Sequence, residues 1–321
     1  MENSIIKQTA KDIVLAKGKG ASRILTFGSN LVQNGLSDVI DEFIQNGWIN
    51  HLATTGTSIV DDWNVARGDE PTDKTFYYIN LAILVGNWLG LGFGEAVSKV
   101  ICDEMIFTPE ASELEAAIRD AQDTSKVEAA AELLGKMRAN EVPSGRLYIR
   151  FPNREHSIMY RAAKADIPFT VHPQFGLDDL FLDSICSFAA IGHASEVDFL
   201  YFTSSVYNLE DGIYISVGSS VASPMIFEKA LSMSQNVRIQ RGCKMHNHKI
   251  IVVDLSESKW DWMANGEPPE NRPEYYLRFC KSFSRAAAKS MYYISADNRD
   301  FFRKLDEELR VLDGPEGSHS N

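Results

Sequence analysis

The stretch ILTFGSNLVQNGLSDVIDEFIQNGWINHLATTGTS, residues 24–58, decides the fold class. Residues 24–27 form a short apolar run that stops at Gly28, Ser29 and Asn30. Leu36, Val39, Ile40 and Phe43 then recur at helical spacing and predict an amphipathic helix. Residues 51–54 make a second apolar run, and it too ends in small hydroxyl residues. Strand, helix, strand in this order is a βαβ unit. The carboxyl ends of such strands are where open parallel sheets bind ligands.

The same grammar continues along the chain. Residues 250–253 are apolar and β-branched throughout and 213–217 largely so, as buried parallel strands are, and 167–171 reads as another strand. Residues 147–151 are a further strand expectation. Residues 76–105 predict broken helix, and the Ala-, Glu- and Leu-rich 109–140 predicts two helices. Helices are also expected within 156–166 and at 223–234, 273–284 and 297–310. No repeat and no linker interrupts the pattern. The expectation is one doubly wound α/β domain over residues 1–313, a mostly parallel sheet flanked by helices, with 314–321 as a disordered tail.

Composition narrows the function classes. A formal charge of −12 argues against nucleic acid as a partner, since a phosphate backbone calls for clustered Lys and Arg. The most apolar stretch, 81–94, is too short to span a membrane, and no signal-peptide core opens the chain. Four cysteines set far apart form no disulfide framework, so a cytoplasmic protein is expected.

Five stretches invite chemistry. TTGTS, residues 54–58, followed by Asp61 and Asp62, reads as a strand end shaped for a nucleotide or as a capped helix start. VGSSVASP, 217–224, follows a strand and opens a helix, suiting a phosphate-facing turn or a simple cap. GLGFGEA, 90–96, fails the dinucleotide glycine spacing and reads as helix packing. CKMHNH brings Cys243, His246 and His248 close in sequence, but the spacing matches no common zinc pattern and no metal is expected. RFCKSFSR places Lys281 beside Phe279 and Phe283, where a desolvated amine could serve as a nucleophile or an ordinary lysine could sit exposed.

Taken in order, several of these segments resemble the deoxyhypusine synthase family. The likeness runs through residues 28–63, HSIMYRAAKADIPF (156–169), DGIYISVG, NRPEYYLRFCKSF and SMYYISADNRDFF. The resemblance implies an NAD-dependent transferase that oxidises spermidine and carries its aminobutyl group through a lysine imine. The acceptor would be a protein lysine or a small diamine, and the assembly a homotetramer with sites at subunit interfaces. It places Lys281 as the nucleophile. Gly28, Ser29, Asn30, Thr55, Gly56, Thr57, Asp61, Gly218, Ser219 and Asp297 would face NAD. Asp179, His172 and Phe279 would face the polyamine. Pro224 stands where the family has a histidine that assists the chemistry, and Gly218 with two serines replaces a three-glycine turn. The alternative is a divergent member that binds or acts on another nucleotide-like or phosphorylated metabolite.

Overall fold

A computed structural model describes residues 2–68, 73–120 and 122–313; the tail expected at 314–321 lies outside them. Among the described residues there are eight strands: β1 (Arg23–Phe27), β2 (His51–Thr54), β3 (Met105–Thr108), β4 (Gly145–Tyr148), β5 (Phe169–Val171), β6 (Ile213–Val217), β7 (Lys249–Asp254) and β8 (Ser290–Ser295). Contacts group the chain into two compact units. One is built from the residues up to Thr54 and from Tyr201 onward, the other from Thr55–Leu200.

The first unit is an α/β layer structure with parallel strands in the order β2-β1-β6-β7-β8. Ile24 lies opposite His51 in one ladder, and Phe27 lies opposite Val217 in the other. Every residue of β1, β2 and β6 is buried. Strands covered on both faces do not alternate apolar with polar, so these runs are mostly apolar, and their few polar side chains, among them Thr26, Thr54 and Ser216, are buried too. From β1 the chain steps outward to β2 in one direction, and from β6 through β7 to β8 in the other. Crossovers of one hand then put the intervening helices on opposite faces. The packing agrees. Ser37–Gln45 packs with Asn298–Asp313 and so does Glu2–Gly18, while Ala222–Gln240 packs with Arg278–Ser284. The boundary between β1 and β6 is therefore the switch point of a doubly wound sheet.

Details differ from the sequence expectations for physical reasons. The first crossover helix forms as Asn30–Gln33 and Ser37–Gln45, parted at Gly35, whose φ is +70°. Leu36, Ile40 and Phe43 are buried as expected, whereas Val39 is only half-buried. The helix expected at 273–284 divides into a 3-10 turn, Pro273–Tyr276, and an α-helix, Arg278–Ser284. The 223–234 helix extends over Ala222–Gln240. Glu2–Gly18, not foreseen as a helix, buries Ile6, Ala10, Ile13 and Ala16 along one stripe.

The second unit is mainly helical. Its antiparallel pair runs from Met105 opposite Tyr148 to Thr108 opposite Gly145. The strand expected at 147–151 is thus corrected to Gly145–Tyr148. Beyond Tyr148 the backbone donors are taken elsewhere. Ile149 N–H donates to the Glu104 carbonyl (2.9 Å), and Phe151 N–H to the Glu104 carboxylate (2.8 Å). In GLGFGEA, Gly90 turns the chain at φ +76°, and a Cβ on Gly94 would lie 2.8 Å from the Phe169 carbonyl carbon, which is the packing role expected. Among the described residues no single helix is long and apolar enough to cross a membrane.

Candidate functional site

At the carboxyl ends of β1, β6, β7 and β8 the first unit holds a cleft of 170 Å³, lined in part by Asn30, Asn34, Gly218, Asp254, Asp297 and Asn298. Gly218 lines it, and Gly28 packs closely against Gly218. Gly28 N–H donates to the Val217 carbonyl (3.2 Å), and a Cβ on Gly28 would collide with the Gly218 carbonyl. Gly218 adopts φ +58°, and a Cβ there would come within 2.6 Å of Asn30 Oδ1. Only a residue without a side chain satisfies both restrictions.

The cleft's amides are incompletely satisfied. Asn298 is 6% exposed, and its Oδ1 accepts from Asn34 Nδ2 (2.7 Å). Its Nδ2 and the buried Oδ1 of Asn30 have no partner. A buried polar atom without a partner costs free energy, so one free donor and one free acceptor beside a cleft ask for a ligand carrying both kinds of group. Asp297 accepts from the Arg299 backbone N–H (2.9 Å) and its guanidinium (3.0 Å), and the guanidinium holds its carboxyl below the usual range. Asp254 accepts from Ser256 N–H (3.0 Å). Carboxylates on the wall favour hydroxyl donors over phosphate oxygens. Ser29 leads into the Asn30–Gln33 turn without a side-chain cap. Ser219 Oγ accepts from Ser223 N–H (3.3 Å) and so supports the start of the Ala222–Gln240 helix, in which Pro224 is buried.

Thr55, Gly56, Thr57 and Asp61 belong to the second unit, at the start of the Gly56–Arg67 helix. That helix end already holds an anion, the buried Asp178 carboxylate. Asp178 Oδ1 accepts from Thr57 N–H (3.0 Å) and from the Thr57 hydroxyl (2.7 Å), and Oδ2 accepts from Gln174 N–H (2.7 Å). A Cβ on Gly56 would reach within 2.6 Å of Asp178 Oδ2. Asp178 thus caps this helix start from far along the chain. Thr55 Oγ1 lies 3.3 Å from Ser58 Oγ. Asp61 is half-buried, whereas Asp62 is fully buried and accepts from the Ser157 hydroxyl (2.6 Å), Ile158 N–H (2.8 Å) and Met159 N–H (3.0 Å). Burial pushes the Asp62 carboxyl up to about 6 against those bonds.

Of the residues expected to face a polyamine, Asp179 is exposed. Its neighbour Asp178 is the buried, bonded carboxylate that sequence reasoning missed. His172 is buried, its ring 3.1 Å from the Thr170 hydroxyl, and burial lowers its pKa to about 3, leaving a neutral imidazole. Phe279 is half-buried, its ring centroid 6.4 Å from that of Tyr293. Lys281 has a side chain only 12% exposed; its Nζ lies 2.6 Å from Glu267 Oε1 and 3.5 Å from the centroid of Tyr275. It is engaged as a cation by a carboxylate and a ring face. Glu267 also pairs with Arg285 (2.5 Å). Cys243 is exposed and His248 fully buried, and among the described residues no three metal-ligating side chains converge.

No family model matches the chain, and no curated protein sequence matches it. Solved structures do. ArgZ, an arginine dihydrolase from the ornithine-ammonia cycle in cyanobacteria, aligns with a TM-score of 0.50 and 11% identity, over 97% of this chain and 33% of that one. A candidate LOR/SDH protein from Methanococcus maripaludis S2 gives 0.47 and 15%, over 97% and 69%. A candidate deoxyhypusine synthase from Entamoeba histolytica gives 0.42 and 13%, over 97% and 89%. The chain spans about a third of the length of ArgZ, and the likeness to ArgZ is one of fold.

Proposed function

We propose that the chain binds NAD, or a nucleotide closely like it, in the cleft at the carboxyl ends of β1, β6, β7 and β8. The observation that carries this reading is the pair of unpartnered amide atoms, Asn30 Oδ1 and Asn298 Nδ2, beside the switch point where Gly28 and Gly218 meet. Ligands of doubly wound sheets bind at such points. At 170 Å³ the cleft takes only part of a dinucleotide. In this reading Asp254 and Asp297 accept from ribose hydroxyls, and the glycines let the ligand approach the backbone.

Calorimetry with NAD, ADP-ribose and adenosine tests it. Asn298→Asp keeps the acceptor for Asn34 but replaces the free donor with an oxygen, so NAD affinity is expected to fall at least about tenfold. Equal affinity in the variant, or no NAD binding by the unaltered protein, overturns the reading.

A second reading, aminobutyl transfer from spermidine, is favoured by the sheltered Lys281. NAD, when bound, supplies a hydride acceptor. Once its ammonium has lost a proton to solvent, the Lys281 amine would attack the oxidised spermidine carbon. 1,3-Diaminopropane leaves and the four-carbon fragment remains as an imine on Lys281. An acceptor amine, on a protein lysine or a small diamine, would then displace Lys281, and return of the hydride taken up in the first step would reduce the new imine to an aminobutyl group on the acceptor. A homotetramer belongs to this reading. Borohydride trapping of labelled spermidine should fix label to the unaltered protein and not to Lys281→Ala; label on both or on neither removes the lysine from the chemistry.

A further inference from the structure

A cavity of the second unit has no part in either reading. It encloses 580 Å³, a volume suited to a ligand of nucleotide size. One wall is a helical stripe, Lys74, Tyr77 and Tyr78, spaced so that all three face the same side of the Asp73–Leu89 helix. Arg146 enters from β4, and Asp183 from the segment that follows the Asp179–Leu182 turn.

Three features define what would fit. Lys74 and Arg146 have no acidic partner among the described residues, although the chain carries twelve more acidic than basic charges. Free cations at one cavity in an acidic protein suit an anionic group. Tyr77 and Tyr78 are half-buried, with ring centroids 5.6 Å apart and planes at 73°, and present aromatic surface for a planar ring. Asp183 lies near enough to Tyr77 to add to burial in raising that phenol's pKa, and it brings an acceptor for a hydroxyl. The wall is braced. The Thr108 hydroxyl donates to the Pro143 carbonyl (2.7 Å) and lies 3.1 Å from that of Gly145, and the Ser184 hydroxyl donates to Asn140 Oδ1 (3.0 Å).

We infer that this cavity binds a nucleoside monophosphate, with phosphate on Lys74 and Arg146, base against Tyr77 and Tyr78, and a ribose hydroxyl on Asp183. The site shares no residue with the cleft at the sheet's carboxyl end and does not depend on it.

AMP, adenosine and inorganic phosphate are titrated calorimetrically into the full chain, into Lys74→Glu/Arg146→Glu, and into Asn298→Asp. Both cations are exposed and have no acidic partner among the described residues, so the double variant is expected to fold normally, checked by circular dichroism. AMP should bind at least about tenfold more tightly than adenosine or phosphate alone. Its affinity should fall about a hundredfold in the double variant, and an AMP site should remain in Asn298→Asp, in which the cleft is impaired. No AMP binding, phosphate binding as tightly as AMP, or binding that survives the double variant overturns the inference. AMP binding lost in Asn298→Asp but kept in the double variant does so as well, while supporting the cleft.

Discussion

Replacing Asp198 with asparagine should flatten the dependence of stability on pH. The side chain is 3% exposed, and its Oδ2 accepts from Val171 N–H (2.6 Å) and Gly94 N–H (2.9 Å). Burial pushes its carboxyl from 3.8 up to about 7, with these N–H bonds opposing the shift. The folded protein therefore holds the Asp198 proton more tightly than the unfolded chain does. The stabilisation from that proton is complete below about pH 4 and is lost as pH rises through 7. Between pH 5 and 7 the loss integrates to about 2 kcal/mol, taking 1.36 kcal/mol per unit. The Asp198→Asn variant would keep one acceptor oxygen without a titrating proton. Urea unfolding at pH 5, 6 and 7, followed by circular dichroism, gives the free energy of each protein. Asp62, shifted in the same sense, cancels in the comparison. The variant should lose about 2 kcal/mol less than the unaltered protein across this interval. A difference between the two proteins that stays constant from pH 5 to 7 would refute the assignment of that proton.

Other perturbations probe the remaining geometry. Gly218→Ala forces a side chain into φ +58° against Asn30 and should cost roughly 1–3 kcal/mol in urea unfolding while weakening NAD binding; an unchanged midpoint would show that Asn30 yields freely. Asp178→Ala leaves the N–H groups of Thr57 and Gln174 without their acceptor and should destabilise by about 2–4 kcal/mol. Added phosphate should recover part of that loss in the variant alone, by raising its melting temperature; equal effects on both proteins would deny that Asp178 occupies an anion position. Glu267→Gln removes the carboxylate holding Lys281 and Arg285, so an amine-directed reagent should label Lys281 faster relative to the other lysines, as read by peptide mass spectrometry. No change in relative labelling would mean that the Tyr275 face alone governs access.

The sheet was legible because burial on both faces leaves a clear pattern: Ile250–Val253 at the centre of β7 are all apolar, and β6 is interrupted only by Ser216. The Glu2–Gly18 helix was less so. Ile6, Ala10, Ile13 and Ala16 mark one stripe, but Ile5, Val14 and the exposed Leu15 lie off it and blur the period. The β4 boundary was not legible, because the Glu104 groups that draw Ile149 and Phe151 out of the ladder lie more than forty positions earlier. The glycines of the cleft were visible as small-residue turns, whereas the reason for them, each facing the other strand's end, was not. Asp178 escaped because its partner Thr57 is 121 positions away, and sequence gives no way to tell it from Asp179. In the sequence Lys281 stands out for its phenylalanine neighbours, yet its closest contacts are Glu267 and Tyr275, brought there by the proline-bounded loop.

The pairing of β1 with β6 also sets an order of events during synthesis. Arg23 is paired with Ile213, 190 positions later. At typical elongation rates of 5–20 residues per second, roughly 10–40 s pass before the second partner of the central strand leaves the ribosome. β2 follows within 30 positions and can dock on one edge of β1 early, leaving the other edge open. Every residue of β1 is apolar or uncharged except Arg23, so that edge has little to repel another chain while it waits. Slow translation or overexpression at high temperature should therefore raise aggregation through β1, and an early-acting chaperone that covers strand edges should relieve it.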